Sequence, residues 1–266
     1  MKLFFRKYGN GPPLFILHGL YGSSDNWVTI ARRLSENFKV YLPDLRNHGQ
    51  SPHSDTHDYD SMSQDLFELT QELRINKIFL AGHSMGGKVA AKFAMKWPEK
   101  IYSLVIIDIS PFGSSDPGSK FHTEHKHILE SVLSIDLSKI LTRAEAEAIL
   151  AKTIESEKTR GFILKNLQRT GERTFAWKMN VKSLYDNLGK IVDGLPSPVI
   201  DTEPVTGFPV TFIKGEDSDY LPLAEVSTIQ KLFPAAEIIT IKNAGHWIHA
   251  ERPDAIIEIL LKQLKD

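Results

Sequence analysis

The sequence predicts an α/β fold: a mostly parallel central sheet with helices on both faces and an inserted helical lid. Three observations carry that prediction. Short apolar runs of β type alternate with helical patterns through the first 110 or so residues and again near the end, as in sheets whose strands are joined by crossover helices. One such run, Ile78-Phe79-Leu80-Ala81, leads straight into Gly82-His83-Ser84-Met85-Gly86, a strand-to-helix turn built around a serine. Between the two alternating regions, about ninety residues of helical pattern interrupt the strand series, more than a crossover needs.

The expected strands are residues 14–17, 40–42, 78–81, 104–108, 210–214 and 237–241. Residues 60–73 set Met62, Leu66, Leu69 and Leu73 on one helical face. After the serine turn, Lys88-Val89-Ala90-Ala91-Lys92-Phe93-Ala94 favours helix, and Pro98 ends it. The alternation then stops from about Pro111 to Pro209. Phe112-Gly113-Ser114-Ser115-Asp116-Pro117-Gly118 reads as a linker, as do residues 193–209 with Pro196, Pro198, Pro204 and Pro209. Between them, residues 125–133, 143–154, 161–168 and 174–188 have helical patterns. Residues 112–206 are therefore expected to form a lid over the carboxyl ends of the strands, inserted into a core made of residues 1–111 and 207–266. The last helix starts at Pro253, where a missing donor costs nothing, and runs through Ile256, Ile259 and Leu260.

A chain of 266 residues suits one sizeable α/β domain with an insertion. Its 41% hydrophobic and 24% charged residues are ordinary for a soluble globular protein. A net charge of -1 gives no electrostatic case for binding nucleic acid or an anionic membrane surface. The absence of cysteine rules out disulfides and thiol chemistry and fits a reducing cytoplasm. Residues 1–10 carry Lys2, Arg6 and Lys7 without the apolar core of a signal peptide. No apolar run approaches the ~18 residues of a membrane helix. A cytoplasmic protein is the expectation.

The chemistry centres on Ser84. A serine hydroxyl is a weak nucleophile at neutral pH and needs both a base and a tight turn to present it. His246, in Ala244-Gly245-His246-Trp247 after the last expected strand, is the best base, on a loop at the carboxyl edge of the sheet. An oxyanion needs amide donors: Met85 follows the nucleophile, and Leu20 lies in the glycine turn His18-Gly19-Leu20-Tyr21-Gly22. The acid has three candidates. Asp108 closes the strand beside the serine strand, where burial suits a carboxylate that orients an imidazole. Asp217 and Asp219 lie in the polar turn Lys214-Gly215-Glu216-Asp217-Ser218-Asp219-Tyr220.

Other features are read as structural. His83 is expected to point away from the nucleophile and pack, and His249 to help start the last helix. Asp44-Leu45-Arg46-Asn47-His48-Gly49 is expected to brace the oxyanion turn. His122, Glu124, His125 and His127 look like metal ligands but lack a partner elsewhere, so a solvated helix start is expected. Lys88 could lend positive charge to an anionic substrate from the helix after the serine turn, but lysines on helices usually face water, and that is the expectation here. Phe112, Phe121, Phe162, Phe175 and Trp177 either line an acyl pocket or form the core of the lid.

The serine turn, the His-Gly turn and the late Gly-His-Trp resemble the α/β-hydrolase fold at both ends of the chain. Four segments in order, Asp44 to Gly49, Gly82 to Lys88, Ile107-Asp108-Ile109-Ser110-Pro111 and Gly245 to Ala250, resemble the small esterases related to abhydrolase domain-containing protein 11. In most of the wider fold the acid is the Asp of a late Gly-x-x-Asp. Counted from Gly215, that place holds Ser218. The esterase branch has its acid in Ile-Asp-Ile-x-Pro, which falls on Asp108. The resemblance implies hydrolysis of short to medium acyl esters or thioesters with no cofactor; no metal is expected, and the protein is expected to be a monomer or homodimer. Two other functions share these residues: proton abstraction and elimination, as in menaquinone-pathway synthases, and binding of a small ligand by a hydrolase-fold receptor.

Overall fold

The fold was analysed in a computed structural model, in which residues 1–113, 118–171, 174–198 and 203–263 are described. Parts of both expected linkers, residues 114–117 and 199–202, lie outside the described residues. The first half of the chain comprises β1 (Phe5–Tyr8), β2 (Pro13–Leu17), α1 (Val28–Leu34), β3 (Lys39–Pro43), α2 (Tyr59–Glu72), β4 (Ile78–His83), α3 (Met85–Lys96) and β5 (Ile101–Ile107). Next come α4 (Lys120–Leu133), α5 (Arg143–Leu150), α6 (Glu157–Leu164), β6 (Leu167–Arg169), β7 (Phe175–Trp177), α7 (Val181–Asp186) and α8 (Leu188–Asp193). The chain closes with β8 (Val210–Gly215), α9 (Val226–Leu232), β9 (Ala236–Ile241), α10 (Ile248–Glu251) and α11 (Pro253–Lys262).

Seven of these strands form one sheet in the order β1-β3-β2-β4-β5-β8-β9. β1 runs antiparallel to β3, and every other pair is parallel. The residues within each strand alternate between two cores because successive side chains leave opposite faces. Phe15, Leu17, Leu80, Leu104, Ile106 and Phe212 point to the face covered by α2, α3, α9 and residues 120–193. Leu14, Ile16, Ala81, Val105, Ile107 and Ile213 point to the face covered by α1 and α11. Parallel pairing brings the carboxyl ends of β2, β4, β5, β8 and β9 to one edge, where open α/β sheets bind ligands.

All six expected strands are present. β1 lies outside that set: its sequence Phe-Arg-Lys-Tyr is too polar to read as a buried run, and it holds an antiparallel edge position where polarity is tolerated. Two expected helices are corrected. Residues 161–168 are helical only to Leu164, and residues 174–188 begin as strand. Leu167–Arg169 and Phe175–Trp177 pair as an antiparallel hairpin, closed by the Thr170 amide donating to the Thr174 carbonyl at 2.9 Å. Among the described residues, no helix is long and apolar enough to cross a membrane.

Candidate active site

Ser84 sits where β4 ends and α3 begins, at φ 53° and ψ −122°, outside the ordinary range for a side-chain-bearing residue. The turn is fixed on both sides. The Ser84 amide donates to the Ile107 carbonyl on β5 at 3.0 Å, and the Ser84 carbonyl accepts from the Gly87 amide at 2.8 Å. Gly86 lets α3 approach β2: a Cβ there would lie 2.6 Å from the carbonyl oxygens of both Leu17 and His18.

Asp108 follows β5, has φ 50° and is fully buried. Its Oδ1 accepts from the Gly215 amide at 2.8 Å. Its Oδ2 takes two donors, the Ser218 hydroxyl and Nδ1–H of His246, the latter at 2.7 Å. Because Nδ1 donates to a carboxylate, Nε2 of a neutral imidazole is left to accept. That Nε2 lies 3.0 Å from Ser84 Oγ. The His246 ring is held in place by Tyr220, stacked at 3.7 Å between centroids, and its carbonyl accepts from His83 Nε2 at 2.8 Å. Three residues from three different strand ends therefore form one hydrogen-bonded line. Neither turn aspartate bonds His246: Asp217 is exposed, and Asp219, which borders the same cavity, is exposed and pairs with Lys120 at 2.8 Å.

A family model described as the alpha/beta hydrolase fold matches residues 12–253. The chain belongs to that family. Its relatives include a zebrafish (Danio rerio) protein named sn-1-specific diacylglycerol lipase ABHD11, 38% identical over 97% of this chain and 80% of that one. Esterase YbfF of Escherichia coli K12 is 33% identical over 97% of this chain and 94% of its own length. A solved structure described as a marine microorganism esterase superposes with a TM-score of 0.92 at 42% identity, covering 98% of each chain. These relatives are ester hydrolases by name, and this α/β hydrolase is an enzyme of the carboxylic ester hydrolase class.

The turn after β2 is braced as expected from Asp44 to Gly49. In this α/β hydrolase, buried Asp44 accepts from the Ser24 amide at 2.6 Å and the Gln50 amide at 2.8 Å. His48 Nε2 accepts from the Tyr21 amide at 3.3 Å, and His18 Nε2 from the Leu45 amide at 2.9 Å. These acceptor roles require neutral rings, and burial pushes both histidines below their ordinary pKa. Leu20, in this turn, and Met85, the first residue of α3, line one cavity with Ser84. The first amides of a helix have no acceptor within it, so Met85 N–H is available to a ligand in that cavity.

The cavity measures about 180 Å³, and its walls include Ile109, Phe112, Phe121, Ile191 and Val192. Two expectations are corrected here. Lys88 does not face water: it is 5% exposed, lines the cavity, and its ammonium donates to the Val192 carbonyl at 3.1 Å. His125 is not part of a solvated helix start. It borders the cavity, with its Nδ1 3.2 Å from the Tyr21 hydroxyl, and desolvation pushes its pKa to about 4. Among the described residues, no cluster of His, Cys, Asp or Glu could hold a metal ion. Of the aromatic residues in question, Phe112 and Phe121 line the cavity, whereas Phe162, Phe175 and Trp177 pack against the core. His83 and His249 are buried, and His249 stacks on Trp27 at 4.8 Å. Ser218 and Tyr220 are the site residues that motif reading passes over. The one clue to Ser218 in the sequence is its place third after Gly215.

Proposed function

We propose that this enzyme is a cytoplasmic serine carboxylesterase that cleaves short to medium acyl esters, thioesters included, through an acyl-enzyme. One observation carries this reading: the line from Asp108 through His246 to Ser84 opens onto an apolar cavity. Ser84 Oγ attacks the ester carbonyl as His246 Nε2 takes its proton. The Met85 and Leu20 amides receive the negative charge on the carbonyl oxygen. Asp108 keeps Nδ1 protonated and stabilises the imidazolium. His246 then gives the proton to the departing alcohol or thiol, leaving the acyl group on Ser84. Water, deprotonated by His246, repeats the attack and releases the acid. Residues 112–206 act as the lid that supplies the acyl wall through Phe112, Phe121, Ile191 and Val192.

The test is Ser84→Ala assayed on p-nitrophenyl butyrate. Turnover is expected to fall by more than ~10³, and fluorophosphonate labelling, located by mass spectrometry, should disappear from the variant. A variant that keeps the rate of the parent enzyme removes the proposal.

A further inference from the structure

Lys88 places an ammonium in the lining of the cavity beside Ser84, where the carboxylates of Glu225 and Asp219 are engaged by Ser110 and Lys120, and ester cleavage alone has no use for it. Lys88 lies in the first turn of α3, four residues after Ser84, and both residues line the cavity. An ammonium has three donors. One goes to the Val192 carbonyl, and the charge sits 5.9 Å from the centroid of the Tyr59 ring. Among the described residues, no carboxylate lies within 4.0 Å of Lys88 Nζ. Glu225 and Asp193 favour the charged form from farther away, and Glu225 Oε2 already accepts from the Ser110 hydroxyl. A buried ammonium with one neutral acceptor is costly, and such a group facing a cavity marks a binding function.

We propose that Lys88 determines acyl specificity by receiving a carboxylate at the far end of the acyl chain, making monoesters of short dicarboxylic acids the preferred substrates. The inference rests on the serine-esterase reading of the same site. Apolar side chains of Ile109, Phe112 and Ile191 line the space around these two residues and suit the methylenes of a succinyl, glutaryl or adipyl group. The carboxylate meets two donors that no described residue occupies, which recovers part of the desolvation cost of Lys88. The reaction is ordinary hydrolysis: water and the monoester give the diacid and the alcohol.

The experiment compares kcat/KM of the enzyme on monoethyl succinate, glutarate and adipate with that on the ethyl esters of 4-methylpentanoic, 5-methylhexanoic and 6-methylheptanoic acids. In each neutral partner an isopropyl group replaces the carboxylate. At least one diacid monoester should be preferred by about tenfold or more, chiefly through KM. In Lys88→Met that ratio should fall to about one or below, and Lys88→Arg should restore part of it. Equal use of both series by the unaltered enzyme overturns the inference, whether or not the Met variant folds. So does a preference that survives Lys88→Met. A parallel loss on both series with a lowered Tm also overturns it, leaving Lys88 as a cap on the last carbonyls of α8. Loss of the serine-esterase reading looks different: Ser84→Ala would then hydrolyse the neutral esters undiminished.

Discussion

Oδ2 of Asp108 serves two donors at once, His246 Nδ1–H and the Ser218 hydroxyl. Hydrogen bonds to a buried carboxylate are each worth about 1.5–3 kcal/mol, so Ser218→Ala should lower kcat roughly tenfold by loosening the group that aligns the imidazole. Asp108→Asn should cost up to ~10⁴ in kcat, since an amide cannot hold the imidazole in the required tautomer. Because Ser218 and His246 meet at the same oxygen, a carboxylate at position 218 can take over. Asp108→Asn combined with Ser218→Asp should therefore regain at least about tenfold over Asp108→Asn alone in p-nitrophenyl butyrate assays. Absence of any recovery would show that the β8 loop cannot supply the acid. Ser84, His246 and Asp108 were legible as residues because each ends a strand or follows one in a recognisable pattern. Ser218 was not, since a serine in a polar turn has no signature and its role depends on how β5 and β8 lie side by side. Lys88 differs from its expectation for a related reason: helical lysines usually face water, and its burial involves Tyr59, Val192 and Gly194, which are distant in the chain.

The α3 element shows what the fold demands at its tightest contact. Gly86→Ala would place a methyl group 2.6 Å from two backbone oxygens of the chain leaving β2, and backbone cannot rotate away as a side chain can. Separating α3 from β2 should cost about 1–3 kcal/mol and shift Met85 relative to the turn that carries Leu20. The expected result is a lower urea midpoint at unchanged m-value, together with reduced kcat. A variant as stable and active as the parent would mean that the turn yields easily. Elements of this kind are readable because strand, glycine, serine and helix follow one another locally. The hairpin of β6 and β7 is not local in that sense. Phe175-Ala176-Trp177 is three residues long and becomes strand only because Leu167-Gln168-Arg169 lies alongside, so a helical reading of 174–188 had nothing in the segment to contradict it. α1 and α9, seven residues each, are too short for periodicity to declare and owe their form to packing against the sheet.

Across the whole molecule, five buried histidines couple stability to pH. His18, His48, His57, His83 and His249 are buried, and burial lowers the pKa of each, to about 3 for His57 and about 4 for His249. Above pH 6.5 these rings are neutral in both the folded and unfolded chain, and their contribution is constant. Below it the unfolded chain takes up protons that the folded chain refuses, so stability falls as pH drops from 6.5 towards the folded values. For His57 and His249, whose folded values lie well below 5.5, each ring contributes a loss of about 1 kcal/mol between pH 7.5 and 5.5. Urea unfolding should therefore show at least about 2 kcal/mol less stability at pH 5.5 than at pH 7.5. The rings of His18, His48 and His57 stand in a row, 5.1 and 5.5 Å apart between centroids, behind the turn that carries Leu20. Activity is the wrong readout for this coupling, because the reaction itself passes a proton through His246. Stability separates the two effects. His57→Asn removes one titrating ring and should shrink the difference between pH 7.5 and pH 5.5 by about 1 kcal/mol, even if it lowers stability at both. A difference that stays the same would mean that His57 takes up its proton within the intact fold.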